Sequence, residues 1–281
     1  MRSRSGTLGL LLFLAIAVLP IAASLLYALL YSVGLAGLLR AGLTLEPWLA
    51  VLGSREIWES VGLSAAVAAA VVVLTTVLGL ALTLVFRGRL DRGLLGHALY
   101  LPLALPGAVA AFFTFQMLTG GGLVARALLR LGLLREPAGF FPLVQDRWAI
   151  GIVLTHTALA APFFALLFAR LYESERVEEL AVLARSLGAS SRQCRWRVEV
   201  PLLLHAAGTN LALLFVVVLG SYEIPLLLGR QAPQMLSVLT MRKFASFDLQ
   251  QKPEAFVVAL LYTAFVLALI AGLFRRRRVE G

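Results

Sequence analysis

Side chains able to do chemistry are few in this sequence, and most stand in apolar surroundings. Glu223 is the one acidic residue in an otherwise apolar context, between Gly220 and Pro225, with Ser221 and Tyr222 beside it. His156 lies between Thr155 and Thr157 in a second apolar run, and Asn210 lies in a third. An ionised group at the centre of a bilayer costs on the order of 2.5–3.5 kcal/mol by insertion scales, so such groups face a protein interior or water. Two roles are open for Glu223. It lines a path with Ser221 and Tyr222 and touches a cationic or polar solute, or it stands near the outer interface and pairs with Arg230. For His156, a helix-packing hydrogen bond competes with solute contact. Asn210 has the character of interhelical glue.

Other chemistries lack their residues. Cys194 is the single cysteine, so no intrachain disulfide forms and no cysteine zinc site exists. No H-E-x-x-H or G-x-x-x-x-G-K-[ST] motif occurs. A membrane-embedded enzyme would need convergent His, Asp or Glu groups, and the runs offer little beyond His156 and Glu223. We expect no catalytic residue, no bound metal and no cofactor. The formal charge is +10, but the arginines sit in segments between apolar runs and do not build one basic face. That distribution argues against nucleic acid. Arginine outnumbers lysine 23 to 2, a bias that reads as composition rather than recognition.

The elements that must hold these residues are long and greasy. Hydrophobic residues make up 60% of the 281 and charged residues 14%, against about 25% charged in soluble domains. Six runs carry no charge: residues 8–39, 60–86, 98–125, 148–169, 200–222 and 255–274. A span needs about 20 residues at ~1.5 Å rise, and a backbone in lipid must satisfy itself. The expected fold is an all-α membrane protein, one transmembrane domain with about six helices over 8–33, 60–86, 98–118, 148–170, 202–228 and 255–274. The first run is too long for a signal-peptide core of about 7–15 residues, so it reads as a retained span.

Six crossings put both ends on one side. Arg2, Arg4 and Arg275–Arg278 mark that side as cytoplasmic, with Arg87, Arg89 and Arg92. The arrangement places 15 of the 25 basic residues inside. Arg126 and Arg130, four apart among leucines, fit either an amphipathic surface helix or a polar loop. Pro20, Pro102, Pro106, Pro162 and Pro225 interrupt the runs and are kink candidates.

The longest inner polar segment, residues 171–201, has helix signals of its own. Val177, Leu180, Leu183, Ala184 and Leu187 recur at helical spacing. Gly188 follows as a left-handed cap candidate, Ser190 and Gln193 have capping-box spacing, and Pro201 can open the next span. The spacing predicts a helix, a tight turn and a short helix.

This segment resembles the cytoplasmic EAA loop of type I importer permeases of the ABC class. That pattern is E-A-A, three residues, Gly, nine residues, then I-x-L-P. Anchored on Gly188, its tail falls on Val198, Val200 and Pro201. Leu180, Ala184, Arg185, Ser186, Leu187 and Ala189 also look like this family's loop. The sequence departs from it at Val182 and Leu183, which replace the family's Glu and first Ala; Glu178 and Glu179 lie nearby at other positions. Residues 99–122 and the stretch GSYEIPLLLG, residues 220–229, resemble the spermidine/putrescine, iron and thiamine permease branch.

The resemblance implies a permease subunit of an ATP-driven importer in a bacterial inner membrane. The loop would be a coupling helix docking a separate cytoplasmic ABC ATPase through Glu178, Glu179, Leu180, Ala184, Leu187, Gly188, Ala189, Arg192, Val198 and Pro201. ATP would be used by that partner alone. A second permease chain, identical or not, and a periplasmic substrate-binding protein would complete the system. The latter would meet the outer stretch from Arg230 to Lys252, with Lys243, Phe244 and Phe247. The solute path would include Ser221, Tyr222, Glu223 and His156. The alternative is a secondary transporter driven by an ion gradient, a class that often shows internal repeats and several buried ionisable groups; neither is evident here.

Overall fold

Each apolar run becomes a helix because lipid offers the backbone no partner but itself. The computed structural model describes residues 9, 11–37, 42–86, 93–136 and 139–280; for 93–95, 273–274 and 276–280 the backbone alone is described. Among the described residues there is no strand. Six helices are long and apolar enough to cross a membrane: Leu11–Ser32, Arg55–Val85, Gly107–Arg130, Ile150–Ser174, Ser191–Leu219 and Gln251–Gly272. The chain is an all-α membrane protein. Arg2, Arg4, Arg87, Arg89 and Arg92, which marked the inner side in the sequence, lie outside the described residues, and the side chains of Arg276–Arg278 do too.

The elements in chain order are α1 (Leu11–Ser32), α2 (Glu46–Gly53), α3 (Arg55–Val85), α4 (Gly93–Tyr100), α5 (Gly107–Leu118), α6 (Leu123–Arg130), α7 (Ile150–Ser174), α8 (Val177–Ser186), α9 (Ser191–Leu219), α10 (Glu223–Leu228), α11 (Leu236–Ala245) and α12 (Gln251–Glu280). The contacts divide the chain into two compact units, residues 1–59 with 238–281, and residues 60–237.

In the first unit, α12 packs on α1 and α2. An aromatic cluster joins them: the Tyr31 and Phe256 rings lie 4.6 Å apart, with Tyr27 and Phe244 edge-on to Phe256. Trp48 Nε1 donates to Ser32 Oγ at 3.2 Å, tying α2 to α1. Lys243, expected as an exposed docking cation, is buried and bonds Glu254 at 2.8 Å. Arg242 pairs with Glu56. These ion pairs line a cleft of about 930 Å³, whose charges are therefore largely compensated.

The second unit is built round α7. Phe164, Phe168 and Tyr172 of α7 meet Leu80 of α3, Val177 of α8, and Leu203 and Ala207 of α9 in one core. Thr83 Oγ1 reaches the Ala165 carbonyl at 2.9 Å, an interhelical bond of the kind small hydroxyls supply in membranes. Gly79 lets α3 come close: a Cβ there would lie 3.2 Å from both Phe164 and the Phe168 ring.

Two expected spans are broken. The run 98–118 is divided by a 3-10 turn at Pro102–Ala104 before α5 begins after Pro106, because both prolines remove a ladder donor. The run 202–228 stops at Leu219 and resumes as α10, with Gly220–Tyr222 between. Conversely, the short helix expected before Pro201 does not end there. It continues into the span through a π-helical turn at Arg195–Glu199, where the Val200 amide bonds the Arg195 carbonyl. The shifted ladder precedes a residue with no N–H to give. Between Gly122 and Leu131, the segment that fitted either a helix or a loop is the helix α6.

Phe168 is completely buried, whereas Phe113 of α5 is exposed. Truncating Phe168 to Ala is expected to destabilise the folded protein by about 3 kcal/mol. Phe113→Ala should change stability by less than about 1 kcal/mol. Thermal unfolding in detergent, followed by loss of helical signal, measures both. Equal losses would contradict this assignment of the core.

Candidate functional site

Helix ends within apolar segments create the polar site of the second unit. The break at Gly220–Tyr222 ends α9, and the start of α5 after Pro106 leaves amides without intrahelical partners. Glu223, the first residue of α10, supplies one partner: its Oε2 accepts from the Ala108 amide at 3.1 Å. An anionic oxygen at a helix N-terminus also meets the positive end of the helix dipole. Gly107 makes the approach possible, since a Cβ there would stand 3.3 Å from that oxygen. α10 accordingly packs along α5 and against α7.

His156 of α7 completes the arrangement. It is buried, and its Nε2 lies 3.0 Å from Ser221 Oγ in the break. The Ser221 carbonyl accepts from Ser237 Oγ at the start of α11. The residue before His156, Thr155, donates its hydroxyl to the Gly151 carbonyl at 2.7 Å and shares a 2.9 Å hydrogen bond with Thr114 Oγ1 of α5. Ser221, Glu223 and His156, three of the four path candidates, thus meet where α5, α7 and α10 converge. Tyr222 and Glu223 are exposed, whereas His156 is buried. The pairing of Glu223 with Arg230 does not occur; Arg230 Nε is buried without a hydrogen-bond partner among the described residues. The capping role of Glu223 was not legible, because Ala108 and Glu223 are 115 residues apart.

The second candidate, the loop between α7 and the apolar part of α9, has well-defined geometry. Gly188 adopts φ +93°. Its amide bonds the Arg185 carbonyl, and the Ala189 amide bonds the Ala184 carbonyl, both at 3.0 Å. This is a Schellman closure of α8. Two residues on, Ser190 Oγ accepts from the Gln193 amide at 3.3 Å, and Gln193 Oε1 accepts from the Ser190 amide at 2.8 Å. That capping box starts α9.

The buried face of α8 differs from the stripe read in the sequence. Val177 and Ala181 face inward with Cys194 behind them, its Sγ 3.7 Å from the Ala181 carbonyl. Leu180, Leu183 and Leu187 are exposed, Leu187 at 81%. Glu178, Glu179 and Arg192 are exposed as well, Ala184, Ala189 and Val198 are half-buried, and Pro201 lies exposed at the start of the apolar stretch.

With that geometry in view, the fold can be compared with solved structures. The chain resembles a chain of a bacterial ABC transporter involved in the import of the acidic polysaccharide alginate, with TM-score 0.69 and 15% identity over 97% of this chain and 93% of that one. It resembles equally a chain of the bacterial alginate ABC transporter in complex with alginate pentasaccharide-bound periplasmic protein, with TM-score 0.69 and 14% identity over 95% and 90%. No family model and no curated protein matches the sequence. The likeness establishes the fold.

If Glu223 caps α5, Glu223→Ala should destabilise the protein by about 1 kcal/mol and speed hydrogen exchange of the Ala108 amide. Glu223→Gln keeps an acceptor and should do less. Unchanged exchange at Ala108 in the alanine variant would contradict the capping role.

Proposed function

We propose that this chain is the membrane permease subunit of an ATP-binding-cassette importer. The observation that carries the reading is the α8–α9 loop: a rigid helix, Schellman turn and capping box presenting Leu183 and Leu187 outward, on a fold shared with ABC transporter chains. Exposed leucines beside small Ala184 and Gly188 suit close docking into an apolar groove of a cytoplasmic ATPase. The ATPase would close on nucleotide and move the loop, and through α7 and α9 the helices of the second unit. Such coupling is a difference in nucleotide affinity between two states. ATP chemistry would belong to that partner.

On this reading both termini and the loop face the cytoplasm. A second permease chain would complete the path, and a periplasmic binding protein would deliver the solute. Ser221, Tyr222, Glu223 and His156 would line the path, with Glu223 holding α5 in place as well. The solute class rests on the sequence resemblance, which favours a polyamine, iron or thiamine-like molecule. The structural likeness is to alginate transporter chains.

Uptake that continues when an ionophore collapses the proton gradient, with cellular ATP held constant, supports the ATP-driven reading; uptake that stops supports a gradient-driven carrier. A Cβ at Gly188 would meet nothing within 4 Å in this chain, so substitution there leaves the chain's own packing alone, and the contrast between two side chains tests the backbone conformation. Gly188→Val should weaken ATPase association and uptake together, while Gly188→Asn, which tolerates positive φ, should retain more of both. Equal behaviour of the two variants would count against the turn. Leu187→Cys should react with a membrane-impermeant thiol reagent only after permeabilisation, against little background from buried Cys194. Labelling in intact cells would invert the topology.

A further inference from the structure

The start of α9 carries a cluster of arginines around an exposed tryptophan. Arg192, Arg195 and Arg197 fall within six residues, all exposed, and Trp196 among them is 63% exposed. Arg192 and Trp196 are one turn apart, as are Gln193 and Arg197, and both rows border one open cleft of about 400 Å³ that Ser190 also lines. No acidic side chain lines it. Glu199, the nearest acid in sequence, is buried on the other side with Cys194. Among the described residues no carboxylate forms an ion pair with the three arginines.

The position of the cleft along the helix identifies its ligand. The uncharged run of α9 starts at Val200, so Trp196 stands four residues, about 6 Å of helix rise, before it. The interfacial layer of a bilayer is about 5–7 Å deep on each side. Tryptophan prefers that layer, and guanidinium groups match phosphate oxygens in bidentate geometry. We propose that this cleft binds the phosphate-bearing headgroup of an anionic phospholipid, with Arg192 and Arg197 on the phosphate and Trp196 against the glycerol region. The lipid would anchor the first turn of α9 at the membrane surface. Arg192 then contacts the membrane rather than an ATPase. The site follows from α9 alone and does not depend on the transport reading.

Purified full-length protein in detergent, titrated with phosphatidylglycerol or phosphatidylcholine and read by native mass spectrometry, tests the site. Wild-type protein should favour phosphatidylglycerol by at least about tenfold. Each lost arginine should weaken binding by about fivefold. The double variant Arg192→Gln/Arg197→Gln should therefore lose the preference, and Trp196→Leu should weaken it. The control Arg126→Gln/Arg130→Gln should keep it. Equal binding of the two lipids by wild type would overturn the site without recourse to any variant. So would a preference that survives in a folded double variant, or one that the control loses equally. Displacement of the lipid by millimolar inorganic phosphate would show a plain anion site and would overturn the lipid assignment.

Discussion

A helix that stops inside an apolar run leaves end groups that lipid cannot satisfy, and the protein must supply their partners. In this chain the demand arises twice in one place. α5 begins after Pro106 in the uncharged run 98–125, and α9 ends at Leu219 near the end of the run 200–222. The two defects answer each other. The break after α9 brings Glu223 to the free amide at the start of α5, and Ser221 in the same break meets His156. The polar groups that make this site look functional are the groups that make the broken helices tolerable. A solute path lined by them would use structure that the bilayer already requires.

α7 is the element to which the rest of the second unit refers. Its first turns hold Thr155 and His156, and its later turns hold the core of Phe164, Phe168 and Tyr172 against α3, α8 and α9. A displacement of α8 would reach Tyr172 and Phe168 through Val177, by packed contacts and without a flexible link. Packed contacts therefore run from a loop outside the apolar runs along α7 to His156 and Ser221 at the break. The same packing also explains why Val177 and Ala181, not the leucines, are the buried residues of α8: they face α7 and α9, and none of the described residues covers Leu183 and Leu187.

Much of this was legible in the sequence. Uncharged runs report spans because the cost of burying charge in lipid is large and local. Gly188, Ser190 and Gln193 report caps because each acts on residues three or four positions away. What escaped was long-range. Periodicity announced an apolar stripe on α8 but could not say which stripe met the membrane domain. A lone acid in an apolar context announced a constrained group but not its partner, 115 residues distant. Proline positions marked the break in the third run, yet the π turn before Pro201 left no sign beyond the proline itself.

The central claim is that Leu187 and its neighbours are the contact through which an ATPase drives this chain. A photo-reactive residue at position 187, compared with one at buried Val177, tests it most directly in inside-out membrane vesicles. The account predicts a covalent adduct from position 187 to a subunit whose sequence contains a P-loop, and none from position 177. An adduct formed equally from both positions, or none from position 187 while the transport system is active, would contradict it.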